Sequence, residues 1–194
     1  QAFKTKAGQR LFTSSGHASM GFGLPGAIGA CFANSRKKTI CISGDGGLQM
    51  NIQELQTLVH YKLPVILFVL NNKGYLTIKL MQQNHFGRYI GSDPGSGVSC
   101  PDIIKVANAY GIKTERISNH DELHDKIDNV LAQDEPFVCE IIMPEDQPLI
   151  PRVSSLKKPD GTIVSKPLED LYPFLNREEF MENMIVKPVE ILKE

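Results

Sequence analysis

The sequence predicts an α/β protein: a mostly parallel sheet with helices on both faces, followed by an irregular, proline-rich C-terminal arm. Three observations predict it. Short apolar runs alternate with amphipathic stretches over the first three quarters of the 194 residues, which is the pattern of strand–helix repeats. One run, VILFVL at 65–70, is apolar without alternation, as in a central parallel strand covered on both faces. From Met143 onward the pattern dissolves, and seven of the twelve prolines fall there.

The elements follow in order. GLPGAIGACFAN (23–34) is small and apolar at helical spacing, Arg36 to Lys38 make a basic break, and TICIS (39–43) reads as a buried strand. A glycine turn at 44–47 leads into a second helix with Ile52, Leu55, Leu58 and Val59 on one face, and Pro64 ushers in the central strand. TIKLMQQ (77–83) is a third amphipathic stretch. It runs into GRYIGSDPGSGVSCPD (87–102), whose clustered Gly, Ser and Pro mark a loop long enough to suspect function. PDIIKVANAYG (101–111) is a helix with Pro at its start and Gly past its end, IKTERI (112–117) a strand, HDELHDKIDNVLAQ (120–133) a helix, and PFVCEIIM (136–143) another buried strand. The chain is thus expected to divide into a binding domain, residues 1–143, and an arm, 144–194, that wraps something else. No internal repeat occurs.

Composition narrows the function classes. With 41% apolar residues, 22% charged and a net charge of -1, there is no electrostatic case for nucleic acid or an anionic membrane as partner. No apolar run approaches the roughly 20 residues that span a bilayer. Cys31, Cys41, Cys100 and Cys139 form no CxxC pair, which suits reduced, mostly buried thiols and a cytoplasmic setting. A first residue that is Gln rather than Met, with no signal-like segment, leads to the expectation of a piece of a longer polypeptide or a processed product.

The chemistry concentrates in residues 44–72. Asp45 and Asn72 each stand just past a predicted strand, so a parallel sheet brings them to the same edge, where ligands of such folds collect. A carboxylate and an amide carbonyl make a hard, all-oxygen donor set suited to Mg²⁺, which takes few protein ligands and leaves places for phosphate and water. Gly46 and Gly47 open a helix whose bare amides favour an anion. The stretch reads as a Mg²⁺-diphosphate site.

GDG, 24 residues, then NN resembles the signature of the thiamine diphosphate (ThDP) enzymes, and the strand, glycine turn, helix, strand context is similar to theirs. The resemblance implies that Asp45, the side-chain oxygen of Asn72 and the carbonyl of Gly74 hold Mg²⁺. It also implies that Gly44 permits the tight turn, that Gly46 and Gly47 touch the diphosphate, and that Tyr75 lies against the cofactor. SSGHASMGFGLPGAIGA (14–30) resembles the matching segment of the acetohydroxyacid (acetolactate) synthase branch. There Ala18 offers a backbone carbonyl to the aminopyrimidine, and Met20 holds the two rings in the V shape that activates the thiazolium carbon. His17 replaces a usual apolar residue and faces either substrate or structure. The branch carries a tryptophan in the helix after NN, yet this chain has none and Met81 takes the equivalent place, which leaves the acceptor open.

By the same resemblance the reaction is decarboxylation of a 2-keto acid with carboligation, in a homodimer or tetramer. The activating glutamate comes from a separate pyrimidine-binding domain of the same or a second subunit, so no catalytic residue is expected in this chain, which would be inactive alone. Two other readings come from the residues, and a third from a ThDP-like scaffold without catalysis. Gly21, Gly23 and Gly26 fit GxGxxG with Asp45 about 20 residues on, as in an NAD(P)-binding oxidoreductase, but the preceding segment is polar and Pro25 sits inside the turn. His120 and His124 have the spacing of zinc ligands, although Asp121 replaces the glutamate of the protease motif and both flank the stripe of Leu123, Ile127 and Leu131.

Overall fold

A computed structural model describes residues 3–186. Gln1, Ala2 and the last eight residues of the expected arm lie outside the described residues. Those described fall into two compact units that divide between Gln147 and Pro148.

The first unit is a four-stranded parallel sheet. Its strands are β1 (Thr39–Gly44), β2 (Val65–Asn71), β3 (Lys113–Ile117) and β4 (Phe137–Ile142), in the order β1-β2-β4-β3. Because side chains alternate along a strand, β2 serves two cores. Val65, Leu67 and Val69 meet Leu24, Ala27, Ile28 and Cys31 of α1 (Gly23–Ala33), Leu55 and Leu58 of α3 (Leu55–Tyr61), and Ile103 and Ala107 of α5 (Ile103–Ala109). Ile66 and Phe68 join Ile117, Phe137 and Cys139 under Val130, Leu123 and Ile127 of α6 (Leu123–Leu131). Both faces are covered, as the unalternating run predicts. The four cysteines are free, and burial pushes the Cys41 thiol up to about 12.

Three expectations are corrected in detail. The helix after the glycines is broken: α2 (Asp45–Gln49) is followed by a 3-10 turn at Ile52–Glu54 and then α3. The break falls at Asn51, which leaves helical geometry (φ −138, ψ 34) while its side-chain amide donates to the Gly21 carbonyl at 3.0 Å. TICIS is an edge strand, not a buried one. Cys41 is buried, but Ile40 is 43% and Ile42 60% exposed. Last, His120 precedes α6 instead of sharing it with His124, and both are exposed.

A fourth helix, α4 (Leu76–Phe86), has no buried residue. The second unit is less irregular than the proline count suggests. It holds an antiparallel hairpin, β5 (Ser155–Lys157) with β6 (Ile163–Ser165), and α7 (Arg177–Asn183). The Asp170 carboxylate, 2% exposed, accepts from both terminal nitrogens of Arg177 at 2.8 and 2.7 Å. Three-residue strands carry too little alternation to be read from sequence. No helix among the described residues is long and apolar enough to cross a membrane.

Candidate functional site

Parallel pairing delivers the site. Gly44 lies in register with Leu70, so the first residues past β1 and the last of β2 emerge side by side at the carboxyl edge. Asp45 follows at the start of α2, 7% exposed, and its Oδ2 accepts from the Gly74 N–H at 2.9 Å. The chain can return to Asp45 because it turns tightly after β2, with Lys73 at φ 63 and Gly74 at φ 153. Glycine is required at 74: a Cβ there would stand 2.4 Å from the Ser92 carbonyl oxygen. The same carbonyl accepts from the Tyr75 N–H at 2.8 Å, so the long loop after α4 seats this turn. Lys79 and Asp93, paired at 2.9 Å, tie that loop to α4.

Three oxygens converge. The Asn72 side-chain oxygen lies 3.0 Å from the Gly74 carbonyl oxygen and 3.3 Å from Asp45 Oδ1. Acceptors at that spacing repel one another unless a positive centre sits among them. Either the amide NH₂ turns inward and donates to both, or the carbonyl stays inward beside a cation. Neighbouring oxygens of an octahedral Mg²⁺ shell, with bonds of about 2.0–2.1 Å, stand about 2.9–3.0 Å apart. The donor set and its spacing therefore fit Mg²⁺. Burial pushes the Asp45 carboxyl above the usual carboxylate range, opposed by backbone N–H groups of Gly46, Gly74 and Asn72. The nearby Cys100 thiol is pushed up to about 11, mainly by burial and then by the Asp45 charge. Asp45 and Cys100 line one cleft with Gln49, Asn71, Pro101 and Ile103.

The other expected site residues divide into two groups. A Cβ on Gly46 would stand 2.4 Å from the Tyr75 ring and 3.1 Å from the Gly74 oxygen, so Gly46, Tyr75 and Gly74 are packed together around the cation donors. Gly47 is less constrained, its nearest neighbour being Ser43 Oγ at 3.6 Å. Gly44 is extended (φ −76, ψ 155) with nothing within 4 Å of a Cβ. Its backbone needs no glycine, and the missing side chain leaves open space at the strand tip. Ala18, at φ 50, and Met20, 43% exposed, belong to the irregular segment before α1. That segment meets the far end of α2, where Gly21 lies against Met50 and Asn51. His17 is exposed, and Met81 on α4 is 46% exposed. No strand leads into Gly21, Gly23 and Gly26 among the described residues, so the dinucleotide reading gains no support.

Sequence reasoning missed a polar network behind the site. Glu140 of β4 is 1% exposed and accepts from the Asn71 side-chain NH₂ at 2.6 Å and from Arg116 Nε at 2.5 Å. The signal was present as one acidic residue inside the apolar run FVCEII, a position where a charge needs a partner.

Comparison with known proteins agrees with this geometry. Residues 1–141 match the family model described as thiamine pyrophosphate enzyme, C-terminal TPP binding domain. The chain is 32% identical to a probable acetolactate synthase large subunit of Methanocaldococcus jannaschii over 194 residues, 99% of this chain and 32% of that protein. It is 36% identical to the acetolactate synthase large subunit of Cyanidium caldarium over 155 residues, 79% of this chain and 26% of that protein. With acetolactate synthase 2, chloroplastic, of Nicotiana tabacum the figures are 31% over 160 residues, 80% and 24%. The chain spans about a third or less of the length of these relatives.

Proposed function

The chain belongs to the thiamine pyrophosphate enzyme family as its C-terminal TPP binding domain, and from that premise we propose that it is the diphosphate-binding part of an acetolactate synthase-like enzyme. Its substrate is a 2-keto acid, which the whole enzyme decarboxylates and joins to an acceptor carbonyl. The observation that carries the site is the convergence of Asp45, Asn72 and the Gly74 carbonyl at two adjacent strand tips.

In this reading those three groups hold Mg²⁺, and the backbone of Gly44, Gly46 and Gly47 meets the diphosphate. Tyr75 walls the site, while Ala18 and Met20 receive the pyrimidine end. Thiamine diphosphate, when bound, supplies the nucleophilic carbon and the electron sink that let a 2-keto acid lose CO₂. The protein's share is orientation: Asp45 anchors the cation, and the turn at Lys73–Gly74 keeps its donors pointed inward. The glutamate that moves the activating proton belongs to a pyrimidine-binding domain, on the same or a second subunit of a homodimer or tetramer. The relatives' greater length supports this division.

Calorimetry tests the binding half. Thiamine diphosphate with Mg²⁺ at a hundred times Kd is expected to stabilise the protein by about 2.7 kcal/mol, or roughly 5–10 °C in Tm, and Asp45→Asn removes the shift. An unchanged shift in Asp45→Asn refutes the site. Pyruvate turnover by these 194 residues alone would refute the division of labour.

A further inference from the structure

Behind the cation donors lies a chain of contacts that no element of the cofactor reading uses. Asn71 is the last residue of β2, one place before Asn72. Its Nδ2 donates to Glu140 Oε1 at 2.6 Å, and its Oδ1 accepts from the Lys73 N–H at 3.0 Å. Both ends of one amide are thus committed, and its orientation is no longer free. The second bond closes the turn across Asn72 and sets Lys73 in the left-handed region (φ 63), a conformation a lysine avoids unless held there. Glu140 is fixed in its turn. Its Oε2 accepts from Arg116 Nε, and the two residues are register partners on β4 and β3. Arg116 also reaches Asp102 at 3.4 Å, and the Asp102 side chain caps α5 by accepting from the Lys105 N–H.

A carboxylate 1% exposed is costly to keep in a core. An apolar residue would fill the same place in β4, as its neighbours Val138, Cys139 and Ile141 do. What Glu140 does that they cannot is choose the rotamer of Asn71. With the acceptor on Glu140, the Asn71 amide must present its NH₂ to β4 and its carbonyl to Lys73. With Glu140 absent, the amide is free to rotate, and the turn that aims Asn72 and the Gly74 carbonyl at Asp45 loses its tie.

We propose that Glu140, acting through Asn71, is a positioning residue that presets the Asn72–Gly74 turn for the divalent cation. The inference rests on the cation site proposed above, and it predicts effects on cation affinity more than on the chemical step. Groups that orient metal ligands typically contribute tenfold to a hundredfold in affinity.

The test uses the full-length protein that carries this chain, with Mg²⁺ titrated calorimetrically at saturating thiamine diphosphate. Glu140→Leu and Asn71→Ala are each expected to raise the Mg²⁺ Kd about tenfold or more, with kcat at saturating Mg²⁺ largely retained. The double variant is expected to be no weaker than the weaker single one, since both remove the same tie. Glu140→Gln, whose carbonyl can still accept from Asn71, is expected to recover most of the loss. Lower melting temperatures with an unchanged Mg²⁺ Kd would mean that Glu140 only stabilises the fold, and fully additive effects on Kd would mean that it does not act through Asn71. Should Glu140→Leu fail to fold, Asn71→Ala decides alone, because it leaves the Glu140–Arg116 pair in place. Asp45→Asn separates the two levels: if it keeps Mg²⁺, the cation site itself is wrong, and if it alone loses Mg²⁺, only the positioning role is.

Discussion

Asp45 burdens the free protein at neutral pH, because its carboxylate is nearly excluded from water. Its folded-state pKa is raised, so the folded form holds the proton more tightly than the unfolded one. Stability is then lost as pH rises from the unfolded value, about 3.9, through the raised folded one. Without ligand, Asp45→Asn is expected to melt at the same or a higher temperature than the parent at pH 7, with the gap closing below about pH 4. Scanning calorimetry across that range reads both. Mg²⁺ affinity moves the other way, falling as pH drops through the raised pKa, since only the carboxylate binds. Gly74→Ala combines a strained φ with a Cβ 2.4 Å from a carbonyl oxygen, and chemical denaturation is expected to show a loss of roughly 1–3 kcal/mol. Asp45 and Asn72 were legible because residue type and spacing suffice once a parallel sheet is assumed. Asn71 and Glu140 were not, since their contact depends on β4 lying next to β2, 69 residues away.

Strands and helices were legible wherever periodicity and punctuation agreed, as in β2 and α5. What sequence left out was lateral order. A short apolar run looks alike inside a sheet and at its rim, so TICIS reads as a buried strand although it lies at the edge. Two substitutions distinguish the places. Leu67→Ala, in a residue with no exposed surface, is expected to lower stability by about 2–5 kcal/mol in urea denaturation. Ile42→Ala, 60% exposed on the rim, is expected to stay within about 0.5 kcal/mol. Equal costs would contradict the observed strand order. The break after α2 was hidden for a similar reason: the apolar face continues through Ile52 and Leu55, and only the distant Gly21 carbonyl explains why Asn51 leaves the helix.

At the scale of the molecule, each unit carries its own internal bonds. In the second, Arg177 holds the Asp170 carboxyl below the usual range, so its contribution is present above the unfolded pKa and fades as pH falls through the lowered folded one. Arg177→Ala is expected to leave the buried Asp170 carboxylate with the longer Lys166 contact at 3.5 Å in place of its two Arg177 bonds, and to expose residues 148–186 to limited proteolysis before the sheet is cut. The outer side of β1 has a broader effect. Its amide and carbonyl groups have no neighbouring strand among the described residues, and two isoleucines stand beside them. Such a rim can template any extended peptide that approaches it, including another molecule of the same kind. Concentrated solutions of the isolated polypeptide should therefore grow turbid with time, and a lysine in place of Ile42 should keep them clear.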